Sequence, residues 1–205
     1  MKTAKLTVAR LFKYYSVILQ YKKLGYMSIF SQDLAEACGS TSAQVRKDFS
    51  LFGLTGNKRG GYVIDELEEQ LGELLNKKEI KKVIIVGAGN IGQALMNYDS
   101  FSKDGMSIEA VFDIDPMKHR EGAIPIYPIE KLEEFIRNNK VTIGIIAVPH
   151  FAAQQVLDIM VSAGIKGVLN FASVSLRAPD DIFINDMHVG TELEIIGYFV
   201  KALQK

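Results

Sequence analysis

Gly87-Ala88-Gly89-Asn90-Ile91-Gly92 follows directly on the apolar run Val83-Ile84-Ile85-Val86 and opens a helical pattern. Few features constrain a fold as tightly, because each glycine has its own task in a strand–turn–helix that meets a pyrophosphate. Gly87 permits the tight turn, Gly89 lets the backbone approach the phosphates, and Gly92 lets the helix pack on the strand. Ala88, Asn90 and Ile91 complete the loop, and the helix N-terminus adds N–H donors. Asp113 ends the next strand, Ile108 to Phe112, 21 residues past Gly92. A carboxylate there accepts a hydrogen bond from an adenine ribose hydroxyl and repels a 2′-phosphate. The expected ligand is therefore NAD(H) rather than NADP(H), a preference that nearby Lys118, His119 and Arg120 temper. A glycine turn without ligand, or a site for coenzyme A, fits the same spacing.

The residues from Lys82 onward alternate strand and helix. Pro128 is expected to open a helix reaching about Asn139. Val141 to Val148 reads as a strand, Phe151 to Ala163 as a helix and Gly167 to Phe171 as a strand. This is the pattern of a parallel sheet covered on both faces, an α/β Rossmann domain. Between about Gly190 and Leu203, apolar residues such as Leu193, Ile196, Phe199 and Val200 occupy most of the circumference of a helix. It must be buried, in this chain or in a second copy. Only 34 residues follow Phe171, which leaves little room for the substrate domain of a dehydrogenase. Tyr127 and Lys131 have the Tyr-x-x-x-Lys spacing of one dehydrogenase class, but across a proline. No catalytic residue is expected. His119, His150, His188 and Cys38 lack metal-ligand spacing, so no metal is expected either. His150 either lines the crevice or sits on a surface loop.

Residues 1–62 hold ten Lys/Arg and three acids, a net of +7 that the remainder cancels. Such asymmetry is a cue for nucleic-acid contact by the basic part. Val8, Leu11, Phe12, Tyr15, Ile18 and Leu19 repeat at helical spacing, ending near Gly25. Ser31 is expected to cap a second helix with Leu34, Ala35 and Cys38. Thr41 and Gln44 have the capping-box spacing that starts a third. Gly53 to Ile64 reads as a β-hairpin with Lys58 and Arg59 at its tip. An acidic helix, Asp65 to about Leu75, and a lysine-rich linker follow. The sum is an N-terminal winged helix-turn-helix whose third helix enters the major groove. Gln44 suits adenine, Arg46 and Lys47 suit guanine or phosphate, and Thr41 and Ser42 suit phosphates. A helical interaction module with solvated charges is the alternative.

The longest apolar run, near Ile143 to Pro149, is far short of the roughly 20 residues of a membrane span. Arg10 and Lys13 interrupt any signal-peptide core. The single Cys38 cannot make an intrachain disulfide. These features point to the cytoplasm, with no membrane partner. The expected boundaries are a winged helix over 1–76, a Rossmann domain over 77–189 and a terminal helix over 190–205.

Several strings resemble the Rex family of redox-sensing repressors. They are Arg10-Leu11, Ala43-Gln44-Val45-Arg46-Lys47-Asp48, Phe52-Gly53, Gly61-Tyr62, the glycine loop, and Phe112-Asp113-Ile114-Asp115-Pro116. Val148-Pro149, Ala152-Ala153-Gln154, and Gly164-Ile165-Lys166-Gly167 running into Leu169-Asn170-Phe171-Ala172 complete the set. The resemblance covers nearly the whole chain in order. It implies a bacterial homodimer whose last helix swaps into the partner, binding palindromic operators of respiratory and fermentative genes until NADH releases it. It adds Ile114, Val148, Pro149, Asn170, Phe171, Ala172 and Tyr98 to the cofactor contacts, and Arg10 to the DNA contacts. Phe171 and Ala172, with the partner's terminal helix, are expected to form a pocket of low polarity that favours the neutral reduced ring over the cationic oxidised one. Two departures stand out. Ser16 and His188 occupy positions where some members have an Arg–Asp pair. Arg59 replaces a common glycine, and Ser173 a frequent proline.

Overall fold

A computed structural model describes residues 2–56 and 60–204. The chain divides into two units, Met1–Glu79 and Ile80–Lys205, within the lysine-rich stretch read as a linker.

The first unit contains α1 (Lys2–Lys23), β1 (Ser28–Ile29), α2 (Ser31–Cys38), α3 (Ser42–Leu51), β2 (Tyr62–Val63) and α4 (Ile64–Leu74). Its core joins Leu11, Tyr14 and Ile18 of α1 to Leu34, Val45, Phe49, Ile64 and Leu71. The Tyr14 and Tyr62 rings meet Phe49 edge-on at 5.5 and 5.0 Å. The buried stripe of α1 is rotated from the expected one. Tyr14 is fully buried, whereas Val8 and Phe12 are 37% and 43% exposed. Tyr14 can go inside because its hydroxyl finds a partner in Asp48.

Helix starts follow local chemistry. Thr41 Oγ1 accepts from the Gln44 N–H at 3.1 Å, as the spacing predicts. Ser31 is not the cap of α2. The Phe30 N–H precedes it and donates to Asp33 Oδ2 at 3.0 Å. The expected hairpin is also corrected. Among the described residues no strand lies between Gly53 and Gly60, and β2 pairs back onto β1, with Ile29 opposite Tyr62. Gly53 takes a left-handed φ of 71°, and the Leu54 N–H returns to the Phe49 carbonyl at 2.9 Å. Leu54 thus enters the core instead of a strand. Lys58 and Arg59 lie outside the described residues.

The second unit is a six-stranded parallel sheet. Its strands are β3 (Lys81–Val86), β4 (Met106–Asp113), β5 (Ile126–Pro128), β6 (Ile143–Ile146), β7 (Gly167–Asn170) and β8 (Phe183–Asp186), ordered β5-β4-β3-β6-β7-β8. Its helices are α5 (Asn90–Met96), α6 (Ser100–Lys103), α7 (Leu132–Asn139), α8 (His150–Ala163) and α9 (Val189–Leu203). Side chains of β3 alternate between the faces. Ile84 and Val86 pack with Leu132, Ile136 and Leu157, while Val83 and Ile85 pack with Leu95, Met96 and Phe101. The strand order reverses at β3, which lies between β4 and β6. A crevice outside the strand ends at such a point is where open α/β sheets bind ligands.

Pro128 does not open a helix. It ends edge strand β5, where a missing N–H is tolerated, and α7 begins at Leu132 after a 3-10 turn over Ile129–Lys131. No residue of α9 is buried, and Leu193, Phe199 and Tyr198 are 64%, 60% and 72% exposed. No helix of the described residues is long and apolar enough to cross a membrane.

Candidate dinucleotide cleft and DNA-facing helix

Gly87 and Gly92 do what the sequence predicts. Gly87 has φ 105°, and a Cβ there would lie 2.4 Å from the Ala147 carbonyl oxygen. A Cβ on Gly92 would lie 1.8 Å from the Gly87 oxygen, so only glycine lets α5 sit this close to the strand end. A Cβ on Gly89 would meet nothing within 4 Å. The first and third glycines are required by the protein itself. The second leaves open space at the wall of a cavity of about 370 Å³.

Gly87, Gly89, Asp113, Ile114, Val148 and Pro149 line this cavity together. Sequence reasoning missed other parts of the lining, chiefly Phe151, Ala152 and Ile129, and did not single out Lys118 as a wall of it. Ile114 and Phe151 are 81% and 79% exposed. Apolar side chains presented to water on a cavity wall suit a flat aromatic base. An apolar residue in the first turn after Val148-Pro149 was the available signal for Phe151.

Asp113 is nearly buried and heavily engaged. Its Oδ2 accepts from the Ala88 N–H at 2.6 Å and from Lys118 Nζ at 3.2 Å, and its Oδ1 accepts from the Asp115 N–H at 2.8 Å. Burial pushes the carboxyl upward, but the Asp115 and Ala88 N–H groups and the Lys118 ammonium outweigh it and hold the pKa below the usual range. A carboxylate offers about four acceptor directions. One therefore remains for a ribose hydroxyl. The residues fit the adenosine and pyrophosphate portion of a dinucleotide.

Other expected cofactor contacts lie elsewhere. Ala88 is buried, its N–H already given to Asp113. Asn90 and Ile91 form the exposed first turn of α5, off the cavity lining. Asn170 is fully buried; its Nδ2 donates to the Val174 carbonyl and Asp186 Oδ1, and its Oδ1 accepts from the Ala172 N–H. It shapes the 170–174 turn. Ala172 is buried in the core, and Phe171 packs half-buried on the opposite sheet face. Tyr98 is 55% exposed, edge-on to Phe101 at 5.2 Å. His150 starts α8 exposed, and the His119 ring lies 2.9 Å from the Asp113 carbonyl oxygen.

On α3 the structure separates residues that the sequence grouped. Ala43, Arg46, Lys47 and Ser50 are exposed at i, i+3, i+4, i+7, one outward stripe. Thr41 and Ser42 stand at the helix start. Arg46 Nη1 reaches Ser31 Oγ at 3.1 Å. Gln44 and Arg10, expected on DNA, are partly buried and bonded to Asp48. Arg10 forks onto Asp48, Nε to Oδ2 at 2.6 Å and Nη2 to Oδ1 at 2.8 Å. Gln44 Nε2 donates to Oδ1 at 2.7 Å and the Tyr14 hydroxyl to Oδ2 at 3.1 Å. Asp48 is 2% exposed. A buried carboxylate needs all four of these donors, and the Arg10 fork and Tyr14 fasten α1 to α3. Burial raises the Asp48 carboxyl, and the bonds from Arg10, Gln44 and Tyr14 outweigh it, so its pKa is lowered.

A winged helix-turn-helix followed by a glycine-loop α/β domain defines a class of two-domain, ligand-responsive DNA-binding regulators. Two family models match the chain, "Putative DNA-binding protein N-terminus" over residues 2–50 and "CoA binding domain" over residues 78–174. A redox-sensing transcriptional repressor Rex of Desulforamulus reducens is 37% identical, covering 100% of this chain and 99% of its own. Its counterpart in Clostridium botulinum is 40% identical over 91% of this chain and 90% of its own. Among solved structures, RSP, a Rex-family repressor, matches with TM-score 0.89 at 33% identity over 97% of this chain and 94% of that one. RSP in complex with NAD⁺ and operator DNA matches with TM-score 0.92 at 34% identity over 98% and 93%. RSP has also been solved with NADH. The chain belongs to the Rex family of redox-sensing transcriptional repressors.

Proposed function

We propose that this chain represses transcription as a homodimer, binding palindromic DNA through α3 and leaving it when NADH fills the cleft. The observation that carries the reading is the open space at Gly89, beside an Asp113 with one acceptor direction left. Gly87 and Gly89 would hold the pyrophosphate, Asp113 a ribose hydroxyl, and Ile114, Val148, Pro149 and Phe151 the adenine. RSP, a relative by sequence and fold, has been solved with NADH and with NAD⁺ and operator DNA.

Arg46, Lys47, Thr41 and Ser42 would contact DNA, and the charges of Lys58 and Arg59 suit further phosphate contacts. Two copies of α3 read both half-sites only when spaced about one DNA turn, roughly 34 Å. The unburied α9 supports a swap into the partner, since a helix apolar on most sides needs a cover. The adenosine cleft is the same for both redox states. Discrimination then falls to the nicotinamide end, where Phe171, Tyr98 and the partner's α9 are the candidates for sensing a neutral against a cationic ring. Shifting a dimer from 1:99 to 99:1 takes about 5.5 kcal/mol of differential affinity, shared by two sites. Operator DNA and a dinucleotide pool as partners support a cytoplasmic location.

The test is anisotropy of a labelled palindromic duplex at fixed salt, with NADH and NAD⁺ titrated separately into the complex. Release by NADH alone is expected. A complex that neither dinucleotide disturbs overturns the sensing role, and absence of any binding across operator variants overturns the repressor reading.

A further inference from the structure

Ser31 has the residue type of a helix cap but not the position of one. The chain enters α2 at Phe30, whose N–H is taken by the Asp33 carboxylate. Ser31 is the first residue inside the helix, and its hydroxyl serves a different element. It accepts from Arg46 Nη1 on α3 at 3.1 Å, across 15 residues of sequence. α2 and α3 share a core through Leu34, Val45 and Phe49, so both ends of this bond stand on helices packed against each other. Tyr62 of β2 also feels the guanidinium: burial pushes its phenol upward, and the Arg46 charge pulls the other way.

An arginine on an exposed helix stripe samples many rotamers, and gripping a nucleic acid costs it that freedom. Arg46 is exposed, yet it has lost part of that freedom in the free protein. One donor of its planar fork goes to Ser31, and the rest of the fork remains to meet DNA. We infer that Ser31 is a positioning residue for DNA binding, its hydroxyl holding the Arg46 guanidinium in the pose in which α3 meets the duplex. The inference rests on the proposed role of α3 and names how one of its contacts is prepared.

The test is a double-mutant cycle on the full chain, read by anisotropy of the labelled palindromic duplex at fixed salt without dinucleotide. Ser31→Ala should weaken the complex by about threefold to tenfold, the range of one hydrogen bond. Its melting temperature and NADH affinity should stay those of wild type. Ser31→Thr keeps the hydroxyl and should bind within about twofold of wild type. In an Arg46→Ala background, Ser31→Ala should change nothing further. In a Lys47→Ala background it should weaken binding by its full factor. Equal weakening in the Arg46→Ala background means that Ser31 touches DNA itself, which overturns the inference. So does a Ser31→Ala protein that binds like wild type, or one whose lost affinity comes with a lowered melting temperature; each of these leaves the proposed function standing. A wild-type chain that binds no operator variant overturns that function and the inference with it.

Discussion

Gly89 and Gly92, three residues apart in the loop, make opposite predictions. Gly89→Ala adds a methyl where the free protein has only space, at an unstrained backbone, so stability should be unchanged within about 0.5 kcal/mol. Its affinity for NADH should fall, because the methyl stands where the backbone would meet phosphate. Gly92→Ala drives a methyl into the Gly87 carbonyl and should lower the melting temperature of the free protein outright. Thermal melts beside NADH titrations separate the two, and a Gly89→Ala protein that binds NADH like wild type would remove Gly89 from the ligand wall. Asp48 carries the second prediction at this scale. Removing its charge in Asp48→Asn breaks the Arg10 fork and should cost about 2–3 kcal/mol near neutral pH. The lowered carboxyl pKa sets the sign: its stabilisation is full above the ordinary value of 3.8 and is lost as pH falls through the lowered one. Urea unfolding should therefore show the two proteins converging in acid; a constant gap across pH would refute the linkage. The left-handed turn at Gly87, the close packing at Gly92 and the place of Asp113 at the end of β4 were legible in the sequence because they follow from backbone geometry at fixed spacing. The engagement of Arg10 and Gln44 by Asp48 was not. A basic or amide side chain near a recognition helix looks the same in sequence whether it faces a base or a buried carboxylate 38 or four residues away.

Among the elements, α3 and the long strands were legible and the short edges were not. β3 and β4 announce themselves by apolar runs, whereas β5 and β8, of three and four residues at the two edges, have no periodicity to read. Tyr62 belongs with a strand 33 positions earlier, a pairing that local turn chemistry could not reveal. The exposed stripe of α3 defines what substitution there should do. Arg46→Ala and Lys47→Ala should each weaken operator binding and flatten the dependence of log affinity on log salt by about one unit if the lost contact is to phosphate. NADH affinity should be untouched. A weakened complex with an unaltered salt slope would instead assign the side chain to a base edge. Parallel loss of NADH binding would indicate misfolding.

At the scale of the whole molecule, under the proposed function, the cleft holds the adenosine end of the dinucleotide and cannot by itself distinguish redox states. Phe151→Ala should lower affinity for NADH and NAD⁺ by a common factor and leave their ratio alone, which paired titrations would read directly. A changed ratio would bring the oxidised and reduced rings into contact with this wall and redraw the site. That the chain pairs a basic winged helix with a nucleotide fold was legible from charge and glycine spacing. That α9 needs a cover was legible in its apolar circumference, but residue patterning could not choose between a surface of the same copy and one of a second.

α9, with every described side at least partly in water, has one more consequence under the proposed dimer. If a second copy supplies its cover, dilution acts as a denaturant. Each tenfold fall in concentration costs the assembled pair about 1.4 kcal/mol, so the unfolding midpoint should slide with protein concentration. The amount of repressor in a cell then sets how firmly each molecule is folded as well as how many operators are covered.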